Sequence, residues 1–259
     1  MKSAARATAV AQQKSDVLEN VDYRLALTAD DKDLIYRLRY RAYLREGAIL
    51  PSASERVTDE YDDLPNSFIF GVYVNGELYS SIRISVLTPQ WRRSLSSDMF
   101  ADLLHPELDR GKIIIDPTRF VADHEKARLF PALPYVTVRL GYVACAHFNA
   151  DIGLANVRPE HRAFYRKVFL QEPWGEPRLY AGLTKPVGLV AANYPAIRDR
   201  VFQRFPFMRS SAFERRMLFD RPAPDAFADS FRVPYTRERG PIPPHAPRPA
   251  GVSVAGPTA

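Results

Sequence analysis

A polar cluster follows a run of strongly apolar residues: Asp116, Thr118 and Arg119 come directly after Ile113-Ile114-Ile115. Consecutive β-branched residues favour a buried strand, and Pro117 cannot donate to a sheet ladder, so we expect the strand to be interrupted there. A carboxylate at such a place can accept a proton, and a guanidinium can hold an anion. The alternative is a buried Asp116–Arg119 pair that only closes the strand end.

Two further places in the sequence have residue types suited to binding. Arg83 stands among Ile82, Ile84 and Val86, where a charge is expensive unless it meets an anion. The irregular segment 50–66 contains the acidic run 59–63, and long loops inside compact domains are often binding loops or lids. The carboxylates of that run could instead be solvated.

Composition limits the class of protein. The 259 residues are 46% hydrophobic with a formal charge of +6, which provides ample core material and a modest basic excess. No zinc spacing, helix-turn-helix pattern or RNA-binding signature is present, so we expect neither a metal site nor a nucleic-acid partner. Cys145 is the only cysteine, and no apolar run long enough to cross a membrane occurs, which favours a cytoplasmic protein.

The polar positions must be held by a succession of strands and helices. Periodicity predicts a strand, a basic amphipathic helix with Leu34, Ile35, Leu38 and Ala42 on its buried face, a long loop, a hairpin at Asn75-Gly76, the central strand, and then alternating helices and strands. We predict strands over 21–27, 67–74, 77–87, 113–120, 151–157, 178–183 and 187–192, and helices over 31–46, 98–104, 134–148, 162–169 and 195–205, with an irregular connection over 122–131.

Three regions are expected along the chain. Residues 1–19 are polar and aperiodic, which predicts a flexible tail, and residues 20–220 hold the folded domain. Nine prolines lie between Pro222 and Pro257, which predicts a disordered C-terminal tail over 221–259 that serves docking or spacing.

Four groups of residues, in this order along the chain, resemble the signature of acyl-homoserine lactone (autoinducer) synthases and of the related FeeM-type N-acyl amino acid synthases, both of the GNAT superfamily. The groups are Arg39 with Tyr43, then Asp59-Glu60-Tyr61-Asp62, then Arg83, and then Asp116-Pro117-Thr118-Arg119-Phe120. The second half, with Arg158-Pro159-Glu160-His161 before Phe164 and Tyr165, is more similar to the N-acyl amino acid synthases.

The resemblance implies a GNAT-like fold, an α+β fold (an α/β/α sandwich) whose mixed central sheet splays to admit an acyl-pantetheine chain. It implies transfer of a fatty acyl group from acyl carrier protein to the amine of an amino acid. Asp116 would act as the base, directly or through a water, Asp59 and Asp62 would hold the ammonium group, and Tyr165 would protonate the leaving thiolate or merely pack. Substrate-binding roles would fall to Arg39, Tyr43, Arg83, Thr118, Arg119 and Phe120, with Arg83 or Arg119 on the acceptor's carboxylate.

The chain departs from the family pattern in ways that bear on its substrates. The family usually has Glu in place of Asp116, and autoinducer synthases typically have Trp where this chain has Ile49, which weakens the lactone interpretation. Residues 121–133 contain no glycine, so the Gly-rich loop that holds coenzyme A in many GNAT enzymes is missing. The implied donor is therefore acyl-phosphopantetheine on acyl carrier protein, with no permanently bound cofactor, and the lipid-like product is expected to associate with membranes.

Two other functions remain open on the sequence alone. One is an acyl-homoserine lactone synthase that uses S-adenosylmethionine as acceptor. The other is a catalytically silent GNAT-like binding module that presents its Pro-rich tail to a partner.

Overall fold

The computed structural model describes residues 18–179 and 186–220. The predicted N-terminal tail up to residue 17 and the whole predicted C-terminal tail beyond residue 220 lie outside the described residues. So does most of the predicted strand 178–183, of which Arg178 forms an isolated antiparallel bridge to Val187.

The described residues form a mixed sheet of seven strands in the order β1-β2-β3-β4-β5-β7-β6. The strands are β1 Val21–Leu25, β2 Ser67–Val74, β3 Glu77–Leu87, β4 Ile114–Ala122, β5 Ile152–Val157, β6 Glu172–Pro173 and β7 Gly188–Asn193. All neighbouring strands pair antiparallel except β4 and β5, which pair parallel. The predicted α+β class with a mixed sheet is confirmed.

Helices cover both faces of this sheet. They are α1 Ala29–Arg45, α2 Leu95–Met99, α3 Ala101–Asp109, α4 His124–Leu129, α5 Leu133–His147, α6 Arg162–Phe169, α7 Tyr194–Arg204 and α8 Ala212–Phe219. Helix α5 packs Val136 and Leu140 on the face that carries Ile82, Ile84 and Ile115. Helix α3 packs Leu104 and Leu108 on the opposite face, against Leu87 and Ile114. Side chains alternate along a strand, so neighbouring residues of β4 lie in different environments.

The hairpin between β2 and β3 forms as predicted. Asn75 and Gly76 have φ angles of 51° and 82°, and β2 and β3 are antiparallel on either side. Positive φ at both central positions is the turn geometry whose twist matches that of the flanking strands, which explains why Asn-Gly marks it.

The first helix begins with a capping box. The hydroxyl of Thr28 accepts from the backbone N–H of Asp31, and the Asp31 carboxylate accepts from the backbone N–H of Thr28. The predicted buried face is wrong at one position, because Leu34 is 53% exposed while Arg39 is fully buried. Arg39 is buried because the loop before β2 supplies a carboxylate to it, which helical periodicity does not register.

The connecting segments differ from the sequence prediction in two places. Residues 122–131 contain helix α4, which begins where the Asp123 carboxylate accepts from the backbone N–H groups of Glu125 and Lys126. Helix α8, capped by Ser211, is absent from the sequence prediction, although its Phe219 packs into the core against Phe68 and Phe70. Both helices are short and weakly patterned, so their caps are their clearest sequence signal. None of the described helices is long and apolar enough to cross a membrane.

Candidate active site

A cavity opens where β4 and β5 separate. The two strands pair only through Ile114 with Ile152 and Ile115 with Gly153, and beyond these pairs they diverge. The cavity has a volume of about 1060 Å³ and extends between β4, β5, α1, α5 and α6. A volume at the upper end of the range for small-molecule sites is large enough for an extended, mostly apolar ligand.

A β-bulge forms the β4 wall of this cavity. Ser81 pairs with Val121 and Arg83 with Thr118, so Ile82 alone on β3 lies opposite two residues of β4, Arg119 and Phe120. Arg119 has a φ of 54°, which is uncommon for a residue with a side chain. A bulge leaves one residue outside the regular ladder and re-aims its side chain. The interruption predicted from Pro117 is therefore present, two residues later than the proline itself.

Buried ion pairs lie between β3 and α1, on the face of the sheet opposite α5. Asp62 accepts from Arg39 at 2.7 Å and from Arg83 at 2.9 Å, and the side chains of all three are fully buried. The hydroxyl of Thr58 also donates to Asp62 at 3.0 Å. Burial alone would raise the pKa of Asp62, but the guanidiniums of Arg39 and Arg83 hold it below its ordinary value. Asp62 is therefore a fixed counter-ion.

Asp59 connects this cluster to the bulge. Its carboxylate accepts from Arg83 Nη1 and, at 3.0 Å, from Arg119 Nε. Burial again opposes ionisation, yet Arg83 and Arg119 lower the pKa of Asp59. The guanidinium of Arg119 lies 5.7 Å from the ring centroid of Tyr43 on α1. This chain of ion pairs fixes the Arg119 side chain, which lines the cavity.

Asp116 is fully buried, and it is not one of the described residues that line the cavity. Its carboxyl accepts hydrogen bonds from the hydroxyl and, at 3.4 Å, from the backbone N–H of Ser96 on α2. Burial raises the pKa of Asp116 above its ordinary value, and hydrogen bonds from Ser96 and Ser94 oppose that rise only in part. The side chain points toward α2, as its two hydrogen bonds from Ser96 show.

The wall of the cavity is connected to Asp116 through Asn156 on β5. Asn156 Nδ2 donates to Ser96 Oγ, and Ser96 Oγ in turn donates to Asp116. Asn156 lines the cavity, and its Oδ1 is buried with no hydrogen-bond partner among the described residues. Asn156 is not among the predicted site residues, although a polar side chain between Ala155 and Val157 in a buried strand is a signal that could have found it.

The structure divides the predicted site residues into two groups. Tyr43, Thr118, Arg119, Phe120 and Tyr165 line the cavity. Arg39, Asp59, Asp62, Arg83 and Asp116 lie behind its wall instead, in the buried network. Direct contact of Asp116 with a reacting amine, and of Arg83 with a carboxylate, is therefore not what this geometry provides. For Arg83 and Asp116 the physical reason is that β3 and β4 turn both side chains away from α5, toward buried hydrogen-bond partners. Asp59 and Asp62 pair with Arg83 there, and Arg39 pairs with Asp62.

Tyr165 lies on α6 at the cavity wall, and burial raises its pKa to about 12. The group is therefore protonated at neutral pH and can donate a hydrogen bond. The rim of the cavity is polar, with Arg41, Arg45 and Arg158 among its residues. Arg158 pairs with Glu46 at 2.8 Å, whereas no ion pair of Arg41 is recorded among the described residues.

Comparisons with known proteins agree with this architecture. A family profile described as "N-acyl amino acid synthase FeeM" matches residues 34–193. No curated protein sequence matches the chain.

Three solved structures show the fold. The structure of FeeM, an N-acyl amino acid synthase from uncultured soil microbes, has a TM-score of 0.58 at 18% identity, over 73% of this chain and 98% of that one. The CoA-dependent acyl-homoserine lactone synthase BjaI, with MTA, has a TM-score of 0.51 at 16% identity, over 71% and 88%. The AHL synthase LasI has a TM-score of 0.50 at 15% identity, over 66% and 89%. The predicted GNAT-like acyltransferase fold is confirmed by these likenesses.

Proposed function

This chain belongs to the FeeM family of N-acyl amino acid synthases and is an acyltransferase, and on that premise we propose that it moves a fatty acyl group from acyl carrier protein to the amine of an amino acid. The observation that carries the proposal is the cavity of about 1060 Å³ between β4 and β5, which has a polar rim, a bulged strand in its wall and many apolar lining residues. A phosphopantetheine arm can enter at the rim and place its acyl chain inside.

The segment after β4 favours a carrier-protein donor. In this segment the Asp123 carboxylate accepts from the backbone N–H groups of Glu125 and Lys126, at 3.1 and 3.2 Å. Amides that are already bound by the chain's own carboxylate are not available to a pyrophosphate, and the negative charge repels one. A phosphopantetheine on a carrier protein does not need these backbone amides, because it lacks the pyrophosphate of coenzyme A.

The acceptor is placed on the α1 side of the bulge. Arg119 and Tyr43 line the cavity there, and a guanidinium suits the carboxylate that every amino acid carries. Asn156 lines the same cavity, and its unpartnered Oδ1 can accept from the acceptor's amine. Asp116 then acts as a positioning residue, since it orients Ser96 and through it Asn156.

The proposed reaction forms a carbon–nitrogen bond and breaks the carbon–sulfur bond of the thioester. Backbone N–H groups at the bulge bind the carbonyl oxygen as it gains negative charge. The acceptor's ammonium group releases one proton to solvent before the attack and a second one as the amide forms, and the leaving sulfur takes up this second proton. Because the Tyr165 pKa of about 12 exceeds the ordinary thiol value of about 8.5, Tyr165 stabilises the sulfur as a hydrogen-bond donor, and the proton itself comes from nitrogen.

The test is a product analysis with the purified full-length chain. One long-chain acyl group is supplied on acyl carrier protein or on coenzyme A, together with a mixture of the natural amino acids, and products are identified by mass spectrometry. We expect an N-acyl amino acid, formed at least about tenfold faster from the carrier protein. Lactone formation from S-adenosylmethionine, or no amide from either donor, would refute the proposed reaction; faster use of the coenzyme A donor would refute the donor assignment.

A further inference from the structure

The inner end of the cavity is neutral but not wholly apolar. It is lined by side chains from α5, β5, α7 and the turn after α6: Tyr142, Cys145, Gln171, Tyr194 and Ile197, together with the backbone of Gly153. Burial raises the pKa values of Cys145 and Tyr142, so both groups are protonated. This end of the cavity therefore presents no charge to a ligand.

Two polar atoms at this end have no hydrogen-bond partner among the described residues. They are Tyr142 Oη and Gln171 Oε1, and both side chains belong to residues that are only 7% exposed. Gln171 Nε2 donates to the carbonyl oxygen of Gly153 at 3.0 Å. A carbonyl oxygen only accepts, so this contact fixes the amide orientation and leaves Oε1 as the free acceptor. Buried polar groups normally have hydrogen-bond partners, so two unpartnered atoms on residues that line one cavity indicate a ligand that binds them.

Tyr142 and Gln171, the residues that carry the two orphan atoms, both line the cavity and lie close to Phe169. The ring of Tyr142 lies 5.1 Å from the ring of Phe169, and Gln171 follows Phe169 by two residues. Gly153, which accepts from Gln171, is also the last residue of β5 that pairs with β4. Because a β-strand rises about 3.3 Å per residue, Gly153 lies about 10 Å from Asn156 along β5. The orphan atoms therefore lie well beyond the bulge, where the acyl chain and not the thioester would reach.

We propose that the acyl chain of the donor carries a hydroxyl group, which binds between Tyr142 Oη and Gln171 Oε1. A hydroxyl accepts from the tyrosine and donates to the amide oxygen, so it satisfies both orphan atoms at once. A ketone accepts only, a plain alkyl chain leaves both atoms unpaired, and a carboxylate or ammonium would be buried without a counter-ion. This inference rests on the proposed function, since it names the kind of acyl group that the same cavity takes.

The experiment measures binding separately from turnover. Acyl-pantetheine analogues with an unreactive link in place of the thioester are prepared in one chain length, either unsubstituted or with one hydroxyl at successive positions. Their dissociation constants for the full-length protein are measured by calorimetry. We expect one hydroxyl position to bind about fivefold to a hundredfold more tightly than the plain chain, the range expected for two net hydrogen bonds.

Three variants assign the preference to the residues. In Tyr142→Phe the ring contacts with Phe169 and Tyr194 are kept and only the hydroxyl is lost, so the preference should disappear. Gln171→Leu should reduce it as well. The matched control is Tyr135→Phe, which removes a hydroxyl from a cavity-lining tyrosine on the same helix and should leave the preference unchanged.

The inference is overturned if no hydroxyl position binds better than the plain chain, which would mean that water satisfies the orphan atoms equally well. It is also overturned if the preference survives in both Tyr142→Phe and Gln171→Leu. Failure of the proposed function looks different: no amide is made from any donor, whatever the binding series shows. Amide formation from plain acyl donors without any hydroxyl preference would remove this inference alone.

Discussion

Replacing Asp116 by asparagine separates a direct chemical role from a positioning role. Burial raises the pKa of this carboxyl above the ordinary 3.8. At a pH between the ordinary pKa and the raised one, Asp116 keeps a proton in the folded chain that it has released in the unfolded chain. The stabilisation from this group is fully present below the ordinary pKa and is lost as the pH rises through the folded value.

The size of the effect follows from proton linkage. Within that window the free energy of unfolding of the wild type falls by about 1.4 kcal/mol for each pH unit, because one proton is released on unfolding. The asparagine side chain does not titrate and can still accept from the Ser96 hydroxyl, so Asp116→Asn should gain stability relative to the wild type as the pH rises. Urea unfolding at intervals between about pH 4 and 8 measures the difference.

A control with the opposite sign is available in Asp102. A hydrogen bond from Arg178 lowers the pKa of this exposed carboxyl. Its stabilisation is present above the ordinary pKa and is lost as the pH falls, so Asp102→Asn should differ from the wild type in the reverse sense. Parallel stability curves for Asp116→Asn and the wild type would show that the Asp116 carboxyl is not perturbed by burial and would refute the reasoning.

Activity provides the second half of the test. Loss of a base that contacts the reacting amine typically costs a factor of about 10² to 10⁴. Asp116 is connected to the cavity only through Ser96 and Asn156, so we expect kcat to fall by about tenfold or less. A fall of more than about a hundredfold in a stable variant, with the acceptor KM unchanged, would restore Asp116 as the base. Ser96→Ala should have a similar effect, and the double variant should be no worse than either.

Two further predictions concern charge. Charge reversal of two rim residues in Arg41→Glu/Arg45→Glu should lower kcat/KM for the acyl carrier protein substrate on the order of tenfold at low salt and much less at high salt. The control Arg92→Glu changes a residue that does not line the cavity and should leave kcat/KM unchanged. Equal losses in the two variants would exclude docking at the rim. Arg39→Leu should lower the free energy of unfolding by about 3–5 kcal/mol, because Asp62 keeps a buried charge with one cation fewer, and a loss below about 1 kcal/mol in urea titrations would contradict that account.

The sequence predicted most of the architecture because local patterns decide it. The Asn75-Gly76 hairpin, the buried strand at Ile113–Ile115 and the interruption near Pro117 all depend on residues close together in the chain. The order of the elements followed from them, whereas the splayed sheet that holds the cavity was implied by the family resemblance.

The features that the sequence did not show depend on distant contacts. Nothing local shows that Arg39 is matched by Asp62. Helical periodicity alone therefore predicts a buried Leu34, whereas the structure exposes Leu34 and buries Arg39. The side to which Asp116 points also depends on strand register and on Ser96, twenty residues earlier in the chain. The resemblance identified residues that belong together in space, but the structure shows that half of them support the cavity wall from behind.

The brief contact between β4 and β5 has a consequence for how a ligand is held. Past Ile115 and Gly153, each strand keeps its outer neighbour but turns its inner edge toward the cavity. Strand edges normally occur at the periphery of a sheet, where they risk pairing with other molecules. Here two strand edges face the interior, so a ligand with amide groups can form hydrogen bonds with the main chain of β4 and β5. Most substitutions of the lining side chains would leave these hydrogen bonds intact.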